Sequence, residues 1–269
     1  MRLLDGLRPR AFVAENVAGM VKGVAKGFFL RYLKMFKDLP YNVEARLIDA
    51  QWLGVPQRRN RLIFIGVRKD VGRPAWPVPL PYRYSVRDAI PWIVRQADNG
   101  GFGAGKMVDA VTPSPTIGAD PNTGNGRFPP SLVEARKVAN GDTVPDNIAA
   151  SMDGYATGAE WDRLAVGESS DKFFNLVRVD PEEPCDTVTA QGSGGGSSGA
   201  PGGVASVAHP YERRKFTIAE LRRICAFPDD FVLTGTYAQQ WERLGRAVPP
   251  LMMRAIAASL VSTLKQTNR

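Results

Sequence analysis

Cysteine and histidine are nearly missing from this chain: its 269 residues contain two cysteines and one histidine. Two thiols, Cys185 and Cys225, are too few for a disulfide framework and fit reduced thiols in an intracellular protein. One histidine, His209, without a cysteine pair argues against a zinc site. No run approaches 18 uncharged apolar residues, so no membrane span is expected. The N-terminus, Met1 to Arg8, has no long apolar core of the secretory kind, and a cytoplasmic location is the resulting expectation. What the chain does have is glycine and proline, 27 and 21 residues, which forecast long loops beside a packed part. Its length suits one or two domains with a sizeable core. A formal charge of +8 suits a polyanionic partner such as nucleic acid, although basic proteins without such a partner are common.

Along the chain, Ala11 to Ala14 is a short apolar run that reads as a buried strand ending at Glu15. Polar residues at the C-terminal ends of buried strands are where open α/β sheets place their chemistry. A helix is expected from about Gly27 to Lys37, with Phe28, Leu30, Leu33 and Phe36 on its apolar side and Leu39-Pro40 ending it. Asn42 to Ile48 alternates Val43, Ala45 and Leu47 with polar residues, which is strand period. Arg61 to Val67 is a second, strongly apolar strand. The loop between these strands carries Gln57-Arg58-Arg59-Asn60-Arg61.

From about Gly72 to Ser206 periodicity is poor, and the spacing predicts a loop-rich unit with short strands. The Gly/Ser-rich tract from Gly192 to Gly203 reads as a linker or loop. A phosphate-cradling glycine loop would need a helix straight after it, and Val204-Ala205-Ser206-Val207 is no helix start. The last 60 residues are helical. Thr217 to Glu220 is a capping box, and that helix is expected to run to about Phe227. A short helix from Tyr237 stops at Gly245. Pro249-Pro250 opens a final helix with Met252, Ile256, Leu260 and Leu264 on one face, a core stripe.

Three blocks together resemble late motifs of the DNA cytosine-5 methyltransferases. Glu15-Asn16-Val17 after a buried strand is similar to the family's motif VI. Gly54-Val55-Pro56-Gln57-Arg58-Arg59-Asn60-Arg61 running into a strand is similar to motif VIII. Arg214 to Pro228, with Gly245 to Pro250, is similar to motifs IX and X. A lone Glu-Asn-Val carries little; paired with Gln-x-Arg-x-Arg some 40 residues on, it is specific. The resemblance covers about 70 residues at the front and 55 at the back. It implies an α/β fold: the C-terminal part of a Rossmann-like methyltransferase sheet plus a loop-rich, mainly β target-recognition domain. The implied boundaries are 1–71 for motifs VI to VIII, 72–206 for target recognition, and 207–269 for helices returning to the catalytic domain.

The family adds a thiolate to C6 of a flipped cytosine, and C5 then accepts methyl from S-adenosylmethionine. Negative charge develops toward N3, where a carboxylic acid can donate. The resemblance gives that role to Glu15. Asn16 would hold the nearby loop. Arg61 would face O2 of the base, and Arg59 would contact phosphate or brace the nucleophile loop. Gln57, Arg58, Thr187, Thr189 and Arg214 would lie at the DNA. Ala247 and Val248 would sit on the cofactor side, although the family's Gly-Asn-Ala/Ser-Val-Pro reads Gly245-Arg246-Ala247-Val248-Pro249 here. Two basic clusters, Arg58 to Arg73 and Arg213 to Arg223, would be solvated faces or phosphate contacts.

Cys185 follows Pro184, as the family's nucleophile follows a proline, but Asp186 replaces the usual glutamine. Pro184 to Thr189 instead resembles a Pro-x-x-Thr-Val-Thr element before motif IX. The Phe-x-Gly-x-Gly cofactor loop and the Pro-Cys-Gln loop do not occur before Phe12. The expectation is therefore a partial enzyme or second subunit acting on double-stranded DNA. A complementary N-terminal methyltransferase subunit would supply the thiolate and the main S-adenosylmethionine loop, with no metal and no membrane involved. The alternatives are a non-catalytic DNA-binding remnant of such an enzyme and an unrelated nucleic-acid-binding module.

Overall fold

The computed structural model describes residues 2–21, 26–93, 143–193 and 201–266. In chain order its elements are α1 (Arg2–Leu7), β1 (Ala11–Val17), α2 (Lys26–Lys37), β2 (Tyr41–Asp49), β3 (Asn60–Arg68), α3 (Val86–Ala89) and α4 (Ala156–Trp161). β4 (Val177–Arg178), β5 (Val207–Ala208), α5 (Ile218–Ile224), α6 (Tyr237–Arg246) and α7 (Pro250–Gln266) follow. They sort into two units: Met1–Arg83 with Val248–Arg269, and Tyr84–Ala247.

The first unit is built on a three-stranded antiparallel sheet in the order β1-β3-β2. The apolar run Leu62 to Val67 takes the centre and is buried. Because residues alternate across a strand, Phe12 and Ala14 share a face with Leu62, Phe64, Val43 and Ala45. Helix α2 covers that face with Phe29, Leu33 and Phe36. The Phe12 ring stacks on Phe36 at 5.2 Å. It also lies across Gly66, where a β-carbon would stand 2.1 Å from it. Burying a side chain such as Phe36 contributes roughly 2–3 kcal/mol, so this layer fixes the strand register. β1 runs on through Glu15 to Val17 rather than ending at Glu15, because Asn16 and Val17 still pair with Leu62 and Arg61. Helix α7 belongs to this unit: Ser259 Oγ donates to Ala75 O at 3.0 Å, and Arg10 donates to Leu264 O. Its Met252, Ile256 and Leu260 are buried, as the stripe implied.

The second unit gathers Val86, Ile90, Val188, Phe216, Leu221 and Trp241 into one core. β4 and β5 are a parallel pair of two residues each, in keeping with short strands among loops. The Thr217 capping box is formed: Thr217 Oγ1 accepts from Glu220 N at 3.1 Å, and Glu220 accepts from Thr217 N at 2.7 Å. α5 stops at Ile224, short of Phe227, and Ala226 turns the chain at φ 59°. α5 and α6 share their core with residues before 206, so they cluster with the middle of the chain; only α7 returns to the first unit.

The stretch Tyr237–Lys265 is long and apolar enough, by length and composition alone, to pass for a membrane span. The sequence reading had expected none. The backbone is extended at Ala247, φ −67° and ψ 151°, so the stretch is two helices, α6 and α7.

Candidate active site

Glu15 sits on β1 opposite Ile63, and Arg61 on β3 opposite Val17. Two residues apart in register, they are diagonal neighbours on one face, within reach of a long side chain. Arg61 Nε donates to Glu15 Oε1 at 2.7 Å, with the side chains 13% and 27% exposed. Burial pushes the Arg61 guanidinium below its ordinary value, and the Glu15 carboxylate works against that push. Arg61 Nη1 also donates to Asn60 O at 2.8 Å. The pair is thus a half-shielded acid and cation on the sheet face away from α2, which also carries the buried Ile63, Ile65 and Val67. Asn16 faces the other way, and its Oδ1 accepts from Val17 N at 2.8 Å.

Asp49 governs the loop that precedes Arg61. It caps the 3-10 turn Ala50–Leu53, which closes on Gly54 in the left-handed region at φ 85°. Asp49 Oδ1 accepts from Gln51 N at 3.2 Å and from Arg59 N at 3.1 Å. Asp49 Oδ2 accepts from Gln51 Nε2 at 2.6 Å. Beyond the turn, Gln57 and Arg59 go inward. Both are buried, and Arg59 Nη1 donates to Gln57 Oε1 at 3.4 Å. This contact joins the two expected site residues Gln57 and Arg59 inside the loop. Arg58, between them, is half-buried. Sequence reading passed over Asp49, although an Asp ending an alternating strand before a short turn is a capping signal.

The second basic cluster is neutralised where it stands. Arg214 donates to Glu220 Oε2 at 2.8 Å and to Glu212 Oε2 at 2.8 Å. Burial opposes the Arg214 charge, yet the two carboxylates hold its pKa above the ordinary value. Arg213 pairs with Asp153 and Asp162, Arg222 with Asp146, and Arg223 with Asp229. Lys215 is buried, with Nζ 2.7 Å from Gly192 O and 5.1 Å from the centre of the Trp241 ring. Arg213 is exposed with its carboxylates, while Arg214 is half-buried with its own and Lys215 is buried.

Thr187 and Thr189 are half-buried, and Thr189 O accepts from Trp241 Nε1 at 2.9 Å. Cys185 and Cys225 lie in the core of the second unit, so neither thiol is presented to a substrate. Burial pushes His209 down to about 3, so it is neutral. Among the described residues no cluster could hold a metal ion.

The described glycines of the Gly/Ser-rich tract are closely packed. In the glycine tract, a β-carbon on Gly192 would meet Trp241 at 2.8 Å and one on Gly202 would meet Ser151 O at 1.8 Å. Protein atoms occupy the approaches to these two glycines. Ala247 serves as the C-cap of α6 and is half-buried, like Val248.

A family model for C-5 cytosine-specific DNA methylases matches residues 1–262, and the chain belongs to that family. It is similar to the Type II methyltransferase M1.HphI of Haemophilus parahaemolyticus, with 28% identity over 97% of this chain and 59% of that protein. It is equally similar to M.XorII of Xanthomonas oryzae pv. oryzae, with 28% identity over 99% of this chain and 62% of the relative. The chain therefore spans about three-fifths of the length of these curated relatives. Among solved structures, a DNA modification methyltransferase encoded within a prophage of E. coli superposes with a TM-score of 0.62 at 23% identity, over 98% of this chain and 72% of that one. That likeness establishes a mixed α/β fold of the DNA methyltransferase kind.

Proposed function

We propose that this chain grips a flipped cytosine in duplex DNA for S-adenosylmethionine-dependent methylation of C5, with Glu15 and Arg61 on the base edge. The observation that carries this is the 2.7 Å contact between the two side chains on a partly open sheet face. A cytosine edge offers acceptors at N3 and O2 and a donor at N4. A Glu15 carboxyl can donate to N3 and accept from N4, while Arg61 donates to O2. Both contacts strengthen as charge develops on the ring, so they favour the transition state over the ground state. Gln57 and Arg59 brace the loop from inside. The Type II relatives place such an activity in restriction-modification.

The thiolate and the cofactor loop lie outside these 269 residues in this reading, so the chain is a partial enzyme or second subunit. Two features support it. The thiols present are buried, and the first unit leaves apolar surface uncovered. β1 is an edge strand, and Leu3, Leu7, Phe28 and Leu30 are each more than half exposed.

The test is methyl transfer from labelled S-adenosylmethionine to duplex DNA. It compares the chain alone with the chain fused to, or mixed with, a segment bearing the family's early motifs. Transfer is expected only with both parts, and Glu15→Gln or Arg61→Ala should then lower kcat/KM by roughly 10²–10⁴-fold. Transfer by the chain alone, abolished by Cys185→Ser, would overturn the division of labour. Indifference to Glu15→Gln would overturn its role.

A further inference from the structure

We infer that Asp49 is the positioning residue that sets Arg61, through the backbone amide of Arg59. The inference rests on the base-gripping role of Arg61 proposed above and adds a residue to it. β2 ends at Asp49 and β3 begins at its register partner Asn60, so the ten residues between are an insertion in a strand pair. Such a loop closes on whatever ties its two ends together. Here a single oxygen, Asp49 Oδ1, accepts from Gln51 N at the start of the loop and from Arg59 N at its end. Ala50 N donates back to Arg59 O at 3.0 Å, completing a clasp. The second oxygen holds Gln51 Nε2, whose own Oε1 accepts from Arg83 at 3.4 Å.

The clasp fixes where β3 begins and in which phase. Side chains alternate along a strand, so pinning the amide of Arg59 directs Arg61 to the face that carries Glu15. Arg59 itself goes inward to Gln57. A slip of one residue at this start would exchange Arg61 with Asn60. The ladder to Val17 and Ile48 holds Arg61 in register, and the Asp49 clasp fixes the chain two residues before it. Charged acceptors make the stronger hydrogen bonds, and two amides on one carboxylate oxygen suit a residue kept for precision of placement.

The test separates positioning from base gripping. In the free chain, exchange of the Arg61 Nε–H, read by NMR, should be slowed by its Glu15 contact. Asp49→Ala should speed that exchange at least tenfold. Asp49→Asn, which keeps an oxygen for both amides, should stay within about twofold of the parent. If Asp49→Ala does not fold, Asp49→Ser keeps a short acceptor and should fall between the two. In the reassembled enzyme, Asp49→Ala should lower kcat more than it changes KM, with Asp49→Asn rescuing. Unchanged Arg61 exchange and unchanged kcat in a folded Asp49→Ala chain overturn the inference. Faster Arg61 exchange together with an enzyme indifferent to Arg61→Ala would leave Asp49 as the positioner and remove the base-gripping role instead.

Discussion

Two residues show how far burial can act on charge in this protein, and in opposite ways. Burial lowers the pKa of Arg61, Glu15 at 2.7 Å opposes that, and Arg61 stays a cation suited to meet a carbonyl oxygen. Lys215 has a carbonyl and an aromatic ring for company, and burial pushes it down to about 7. Its unfolded value is near 10.5, so between about pH 7 and 10.5 the unfolded chain binds the extra proton. Stability therefore rises with pH across that window, and the destabilising contribution of Lys215 is fully present below about pH 7. Lys215→Met should flatten this rise, removing a slope that amounts to a few kcal/mol over the window. Denaturant midpoints of both chains from pH 7 to 10 measure it; parallel curves would show that Lys215 keeps its proton inside the fold.

At the scale of elements, close approach is what the glycines supply. Gly245 lies in α6 with the Thr189–Ala190 backbone against it, and a β-carbon there would stand 2.6 Å from Ala190 N. Backbone cannot swing aside as a side chain can. Gly245→Ala should cost about 1–3 kcal/mol, seen as a lower denaturant midpoint. Gly27 in α2 has nothing within 4 Å of its would-be β-carbon. Gly27→Ala should instead stabilise by about 0.5–1 kcal/mol, from helix preference alone. A loss at Gly27 or no loss at Gly245 would contradict the packing described. These elements were legible in sequence to different degrees. The alternation at Val43, Ala45 and Leu47 and the apolar run into Val67 marked β2 and β3, and Thr217 with Glu220 marked the start of α5. The end of β1 was not legible, because Asn16 and Val17 are held by cross-strand bonds to β3 rather than by any preference of their own. The resemblance put Glu15 and Arg61 at one base, yet only register shows them as diagonal neighbours. Asp49 was missed because a carboxylate that serves backbone amides leaves no mark beyond a capping signal.

At the scale of the whole chain, the formal charge of +8 overstates the cations free to meet a polyanion. In the cluster from Arg213 to Arg223, Arg213 meets Asp162, 51 residues away, and Arg222 meets Asp146, 76 away, whereas Arg214 and Arg223 meet the nearby Glu212, Glu220 and Asp229. Local charge counting cannot see partners that folding brings in. Each phosphate contact steepens the fall of log affinity with log salt by roughly 0.9 on duplex DNA. A residue already paired inside the fold adds nothing to that slope. Arg213→Gln and Arg214→Gln should therefore leave the salt slope of DNA binding unchanged, within about 0.3, across a titration from roughly 50 to 200 mM salt. Their effects on stability should differ. Arg213 is on the surface, where its loss should leave the denaturant midpoint nearly unchanged. Arg214→Gln leaves Glu220 buried without its cation and should cost about 3–5 kcal/mol. A slope reduced by about 0.9 in either variant would mean that the arginine leaves its carboxylates for phosphate when DNA arrives, and that the cluster belongs to the DNA interface after all.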